Sequence, residues 1–226
     1  MYPMTINKFT AIIIAMLMLI TPGLNAQEKS SEAAKAEESS GKTDGSRLAL
    51  HFRAGEAAPE LAAGLELMVL DALEDNGSLS VASMARMIKA CRQANIECGP
   101  SKSIKVQDIP YLSLRAESRN LVTGQVDFFD GHIRVDLLSF EGASGKSLSS
   151  VIAEGDIYNL DKFITELASQ IGRICDVKLN VSAEIHPDAS GYKALIHLGK
   201  AWTGLYEGKY VEALQELLNA RSAGID

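Results

Sequence analysis

The spacing of hydrophobic residues divides the chain into segments with the period of a strand and segments with the period of a helix. Residues 47–53 alternate apolar and polar positions, which predicts a β-strand. Residues 60–74 carry apolar side chains three and four positions apart, which predicts a helix with one buried face. The same patterns predict a short strand at 79–81, a second helix over 83–94 and a weaker third helix over 108–119.

The period changes to two after residue 120, where three further strands are predicted. Two of them, 121–128 and 133–137, are joined by an Asp-Gly pair at 130–131, which is favoured in two-residue β-turns. A turn at 142–145 leads to the third strand over 146–154. Strands joined in this way by short turns form an antiparallel three-strand meander.

A strongly amphipathic helix over 160–175 follows the meander, with apolar residues recurring every three or four positions. The order of elements is therefore strand, helix, short strand, two helices, three strands and helix. This order predicts an α/β (α+β) fold in which helices pack on one face of a mixed sheet.

Residues 1–26 have the pattern of a removable secretory signal peptide. A positive amino-terminal stretch ending at Lys8 is followed by an uncharged apolar run over 9–20, the helix breakers Thr21 to Gly23 and the small Ala26. The apolar run is shorter than the roughly 20 residues that span a bilayer, and an uncleaved anchor is the alternative. We therefore expect export from the cytoplasm.

The exported chain is expected to begin with a disordered linker over 27–46, because this stretch has no large apolar residue to bury. The formal net charge of −7 lacks the basic character that nucleic-acid binding usually needs, so we expect no nucleic-acid partner. No second apolar run is long enough for a transmembrane helix, and no integral membrane segment is expected after signal cleavage.

Three features of the stretch 47–178 follow a known rhythm: Val122 to Gly124 at the start of a strand, alternating apolar residues over 133–137, and a Ser-Gly turn at 144–145. Together with the strand and helix that precede them, they resemble the N-terminal domain of TolB and the CsgG-like and FlgO-like envelope domains. The resemblance implies the soluble α/β fold of that group and a Gram-negative periplasm. The sequence shows neither a lipid-bearing cysteine nor an amphipathic hairpin, which argues against a secretion channel.

The tail over 187–226 adds an all-α helical hairpin. Gly208 falls where a tetratricopeptide repeat (TPR) has its turn, and Ala201, Ala213 and Ala220 fall where it has small packing residues. The tail therefore resembles one TPR-like hairpin; a hairpin without repeat ancestry is the alternative. One such unit cannot bury both of its faces, so we expect it to pack on the α/β domain, to pair with another chain or to act as a helical cap.

The three cysteines suggest one disulfide. Cys91 and Cys98 flank a predicted helix end and a loop, and an oxidising compartment favours a bond between them. Closing so short a loop stabilises the fold by roughly 2–3 kcal/mol; two free thiols are the alternative. Cys175 falls on the apolar face of its helix, where we expect it to be buried or to form an intermolecular bridge.

The sequence carries no recognised catalytic or cofactor motif. It has no G-x-S-x-G elbow, no phosphate-binding or dinucleotide glycine loop, and no histidine at metal-ligand spacing. We therefore expect no catalytic, metal or cofactor-binding site. Four aromatic residues are candidate partner contacts: Phe129, Trp202, Tyr206 and Tyr210. Core packing of the hairpin is the alternative role for the last three.

These features together predict an exported, non-enzymatic protein-protein interaction or scaffolding module of the bacterial cell envelope, in the periplasm or associated with the outer membrane. Its expected partner is another protein or a second copy of itself. Two alternatives stay open at this point. One is a structural oligomer of the CsgG or FlgO type at the outer membrane, and the other is an enzyme or small-ligand binder without a recognisable motif.

Overall fold

The structure, a computed structural model, describes residues 47–74, 79–177 and 189–223 of the chain. The predicted signal peptide and linker, residues 1–46, lie outside the described residues. So does the predicted boundary between the α/β domain and the helical hairpin, at 178–187.

The described residues form four β-strands and six α-helices. In chain order these are β1 (Leu48–Ala54), α1 (Pro59–Glu74), α2 (Met84–Ala94), α3 (Ile109–Ala116), β2 (Asn120–Phe129), β3 (His132–Glu141), β4 (Ser147–Asp156), α4 (Leu160–Ile174), α5 (Ala189–Glu207) and α6 (Tyr210–Ser222). Short 3₁₀ turns over Val106–Asp108 and Ile157–Asn159 lead into α3 and α4. The mixed α/β class predicted from the sequence is confirmed.

The four strands form one mixed sheet in the order β1-β2-β3-β4. Strand β1 runs parallel to β2, and β2, β3 and β4 form the predicted antiparallel meander. In the β2–β3 turn, Asp130 and Gly131 have φ angles of 48° and 85°, the left-handed geometry that a two-residue hairpin turn requires. The short strand predicted at 79–81 is reduced to an isolated bridge between Leu48 and Val81.

Alternate side chains of the sheet face two different helical layers. Leu48, Leu50 and Phe52 point into the main core, which the sheet shares with α1 and α4. Ala49 points the other way and joins Leu121 in a smaller cluster with α2 and α3. The prediction of helices on one face therefore describes α1 and α4, while α2 and α3 cover one end of the opposite face.

Helices α5 and α6 form a hairpin that packs on α1. The close approach of α5 to α1 depends on glycine, because a Cβ on Gly64 would lie 2.2 Å from the Leu195 carbonyl oxygen. A Cβ on Gly199 would lie 1.7 Å from the carbonyl oxygen of Glu60. Leu195 belongs to the main core, so the hairpin packs on the α/β domain, one of the three arrangements expected for it.

None of the helices formed by residues 47–74, 79–177 and 189–223 is both long enough and apolar enough to cross a membrane.

Candidate functional site

The face of the sheet opposite α1 and α4 is covered by α2 and α3 only at one end, and we call the rest of it the open face. Its side chains stand at alternating positions of the four strands: Arg53, Thr123, Gln125, Asp127, Arg134, Asp136, Leu138, Ser150, Ile152 and Glu154. Leu138 and Ile152 are 42% and 53% exposed. The open face therefore presents large apolar side chains to solvent among polar neighbours.

A groove of about 760 Å³ lies between the open face and the segment 103–106. Ile104 and the exposed Val106 line it from the segment, and Leu138 and Ile152 line it from the sheet. The apolar side chains of the open face thus lie inside a concave surface. A concave surface of this kind can enclose the side chains of a bound segment.

The polar side chains at the β1 and β2 side of the groove are bonded to one another. The Arg53 guanidinium donates to Gln125 Oε1, and Gln125 Nε2 donates to Asp127 Oδ2 over 3.4 Å. Asp127 Oδ1 accepts the backbone N–H of Glu56 at 2.7 Å. These bonds fix a polar border beside the apolar part of the groove. An apolar centre with a polar rim is the usual anatomy of a protein-binding surface.

The outer edge of β1 is closed. Glu66 Oε2 accepts the backbone N–H of Phe52 at 2.8 Å, in the place where a neighbouring strand would offer a carbonyl oxygen. Carbonyl oxygens of two loop residues accept the N–H groups of Leu48 and Ala54, each at 2.7 Å. A further strand therefore has no row of unpaired donors to bind at this edge.

The outer edge of β4 is not closed by any described residue. Just past β4, the Ile157 N–H donates to the Gly131 carbonyl oxygen at 2.9 Å, in the register of the β3–β4 pairing. Backbone groups of a strand point alternately to its two sides, so the odd-numbered residues of β4 from 149 onward bond to β3. Ser150, Ile152 and Glu154 therefore direct their N–H and C=O groups outward, to the free edge.

A buried polar cluster lies behind the closed edge of β1. His51 Nε2 is 2.9 Å from the carbonyl oxygen of Lys102, and because a carbonyl oxygen can only accept, this nitrogen carries the proton. His51 Nδ1 faces Glu66 Oε2 at 3.9 Å, which is beyond hydrogen-bonding distance. Both side chains are almost completely buried.

Burial decides the protonation of this pair. It raises the pKa of Glu66 to about 8, although the bond from the Phe52 N–H acts in the opposite direction. Burial also lowers the pKa of His51, against the effect of its bond to the Lys102 carbonyl. Both side chains are therefore uncharged in the folded chain at neutral pH.

Two of the predicted partner contacts lie in the interior of the hairpin. Trp202 is 1% exposed, and its ring meets that of Tyr206 edge to face with 4.6 Å between centroids. Burial, and then the negative charge of ionised Glu66, raises the pKa of Tyr206 well above its ordinary value. Within the described part of the chain, Trp202 Nε1 and Tyr206 Oη have no hydrogen-bond partner. Trp202 consequently offers no surface to a partner in this arrangement.

The other two predicted contacts lie on separate elements. Phe129 is 51% exposed at the end of β2, while its neighbour Phe128 packs on the core with its ring stacked on Tyr192 at 6.3 Å. Tyr210 is the first residue of α6 and is half-buried. The structure thus brings Trp202 and Tyr206 together and leaves Phe129 on another element.

The open face was not among the predicted sites, although the sequence holds a signal for it. Leu137-Leu138 and Val151-Ile152 each place two apolar residues in succession in strands that otherwise alternate. Because successive side chains of a strand point to opposite faces, one member of each pair has to leave the core. The structure places Leu138 and Ile152 on the open face.

The structure joins Cys91 and Cys98 in a disulfide, with 6.0 Å between their Cα atoms. The bond ties the loop after α2 to that helix. Pro100 in this loop accepts the N–H of Ala54, so the disulfide restrains one of the groups that close the edge of β1. Cys175 is a free, half-buried thiol whose pKa burial raises to about 11.

No protein-family model and no curated protein matches this chain. Among solved structures, the chain is similar to the LpoB C-terminal domain from Salmonella enterica, with 16% identity and a TM-score of 0.40 over 54% of this chain and 91% of that one. It is similar to TolB from Acinetobacter baumannii, with 14% identity and a TM-score of 0.39 over 58% and 28% of the two chains. It is also similar to lipoprotein GNA1162 from Neisseria meningitidis, with 13% identity and a TM-score of 0.42 over 57% and 96%.

The structures to which this chain is similar include TolB and a lipoprotein. This agrees with the TolB-like envelope fold that the resemblance of the stretch 47–178 implied. Identities and TM-scores this low carry no argument about what the chain does. The finer resemblance to CsgG, FlgO and tetratricopeptide repeats stays a prediction.

Proposed function

We propose that this chain is an exported, non-enzymatic module of the bacterial cell envelope that binds another protein through the groove on its open face. The observation that carries the proposal is the exposure of Leu138 and Ile152 inside that groove. Leaving large apolar side chains in contact with water costs free energy, and a contiguous apolar surface rimmed by polar groups is typical of a binding site.

The arrangement of polar groups also favours binding over catalysis. Arg53, Gln125 and Asp127 are engaged in hydrogen bonds with one another, whereas a general base has to face an open position that a reacting group can occupy. Glu66 and Tyr206, whose pKa values burial raises strongly, do not line the groove.

The location in the envelope rests on the signal-peptide pattern of residues 1–26 and on the resemblance to envelope domains. The Cys91–Cys98 disulfide supports the same location, because such bonds persist in oxidising compartments outside the cytoplasm. An extended segment with apolar side chains suits the groove, since one wall is the sheet and the other is the short segment 103–106.

Photo-crosslinking tests this proposal. A photoreactive amino acid in place of Leu138 should capture a discrete set of envelope proteins in intact cells of the source bacterium. The same amino acid in place of Val211, which is 82% exposed on α6, serves as the matched control and should not capture them. Capture of the same proteins from both positions, or of none from position 138, would contradict the proposal.

A further inference from the structure

We infer that the free edge of β4 pairs antiparallel with β4 of a second copy of this chain, around a two-fold axis at Ser150. The two four-stranded sheets would then form one continuous sheet of eight strands. This inference goes beyond the proposed function, because it concerns the edge of the sheet, although Ile152 belongs to both the edge strand and the groove.

The two edges of the sheet differ in how many of their outward backbone groups are hydrogen-bonded. Three outward N–H groups of β1, those of Leu48, Phe52 and Ala54, bind Glu66 or loop carbonyl oxygens, so most of that edge is closed. No described residue bonds to the outer side of β4, although this strand is ten residues long. A register shift interrupts its pairing with β3 between Ser149 and Ser147, and the rest of the strand, 149–156, is regular and contains no proline. A free, regular edge of this kind is a template for pairing with another chain.

The side chains of β4 complement themselves when Ser150 lies on the two-fold axis. In an antiparallel pair with this register, Leu148 lies opposite Ile152 of the second copy, and Ile152 lies opposite Leu148. Both residues are about half exposed, at 51% and 53%. Ile152 stands on the same face as Ser150. Leu148 is the extra residue at the register shift of β4, next to Ser147, which lies opposite Phe140. Apolar pairs directly opposite each other stabilise neighbouring strands.

The backbone supports the same register. Ser150, Ile152 and Glu154 point their N–H and C=O groups to the free edge. Even-numbered residues therefore have to meet even-numbered residues of the second copy. Moving the register by two places in either direction would put Leu148 opposite Ser150 or opposite Glu154. A register centred on Leu148 or on Ile152 would pair only that one residue with an apolar side chain, whereas the register centred on Ser150 pairs both. An interface in which each patch meets its own copy in this way is the kind that closed, two-fold dimers use.

Light scattering after size-exclusion chromatography tests the dimer, with the chain from Gln27 onward and its disulfide intact. We expect twice the mass of one chain in a concentration series. The double variant Leu148→Lys/Ile152→Lys sets like charges opposite each other and should have the mass of one chain. The matched control Val211→Lys/Leu218→Lys adds the same two charges to exposed positions of α6 and should remain a dimer.

Disulfide trapping tests the register and does not depend on how well the lysine variant folds. In a Cys175→Ser background, Ser150→Cys should form a covalent dimer under mild oxidation, since paired strands bring opposite Cα atoms to about 5.5 Å. Leu148→Cys should not, because residue 148 would lie about 14 Å along the strand from its own copy.

The mass of one chain at every concentration without trapping at position 150 would overturn the inference. So would a dimer that persists in the Leu148→Lys/Ile152→Lys variant, since its interface would then lie elsewhere. Neither result would contradict the proposed function, because that function is tested separately by photo-crosslinking at position 138, on strand β3.

Discussion

At the scale of single residues, the most informative side chain is Glu66. Its position on a predicted helix was clear from the apolar spacing, but its burial was not, because glutamate is almost never fully buried. The structure supplies the reason: the edge of β1 needs an acceptor for the Phe52 N–H, and Glu66 provides it. This hydrogen bond depends on how β1 and α1 are placed relative to each other. The hydrophobic period of either element therefore does not predict it.

Glu66 should make the stability of the fold depend on pH. Burial raises its pKa from 4.5 to about 8, so between these values the folded chain holds a proton that the unfolded chain has released. Stability is therefore lost as the pH rises through this range, by up to about 1.4 kcal/mol of unfolding free energy per pH unit. His51, with its lowered pKa, acts in the opposite direction, but only below about 6.5, where the unfolded chain protonates its imidazole.

The measurement is urea unfolding between pH 6.5 and 8, where Glu66 acts without His51. The wild-type chain should become less stable across this interval. Glu66→Gln keeps an acceptor for the Phe52 N–H and has no proton to lose, so its stability should stay flat. Equal pH dependence in the two proteins would show that Glu66 is not the group responsible.

Gly199 tests the contact between α5 and α1. An added Cβ would lie 1.7 Å from the Glu60 carbonyl oxygen, so Gly199→Ala has to push the hairpin away from α1. We expect a loss of about 3 kcal/mol in unfolding free energy. Lys200→Ala, at the exposed next position of the same helix, should change stability by less than about 0.5 kcal/mol. A Gly199→Ala protein as stable as the control would contradict this packing.

At the scale of elements, the sequence predicts most of the strands and helices, but it predicts less well which helices pack on which face of the sheet. The meander and the long helices were predicted from their periods, since these patterns are local. The helix predicted over 108–119 ends already at Ala116, because Glu117 adopts a left-handed φ of 52° and β2 begins at Asn120. The packing of α2 and α3 on the opposite face rests on Ala49 and Leu121, which a strand pattern alone does not assign to a second layer.

The same limit explains what was missed at the candidate site. Of the residues in the groove, Leu138 and Ile152 break the alternation of their strands and were open to detection. The contribution of Ile104 and Val106 could not be detected in the sequence. These residues lie in the connection between α2 and α3, and only the folded path of that connection brings them to the groove. The aromatic residues attract attention in the sequence, yet Trp202 is buried and not exposed.

The Cys91–Cys98 disulfide should stabilise the loop that helps to close β1. Replacing both cysteines by serine frees the loop and should lower the unfolding free energy by about 2–3 kcal/mol. Urea unfolding of the oxidised wild type and the Cys91→Ser/Cys98→Ser variant measures the difference. The wild type treated with reductant should match the variant. Equal stability in all three samples would mean that the bond does not restrain the loop.

At the scale of the whole molecule, the hairpin and the sheet are built on the same helix. The main core includes Leu195 of α5 together with residues of β1 and α1, so the hairpin is held by the packing that also supports the sheet. The opposite side of the sheet keeps its apolar side chains in the groove. This division of the molecule, with α1, α4 and the hairpin on one side and a binding surface beside α2 and α3 on the other, is the central claim of our proposal.

The most direct measurement of that claim is the amount of partner that co-purifies with the exported chain after a single substitution in the groove. Leu138→Lys places a charge among apolar side chains and should reduce the recovered partner at least about tenfold, which corresponds to about 1.4 kcal/mol of binding free energy. Val211→Lys on α6 should recover as much partner as the wild type. Equal recovery with Leu138→Lys and the wild type, in a protein with unchanged circular dichroism, would contradict a role of the open face in binding.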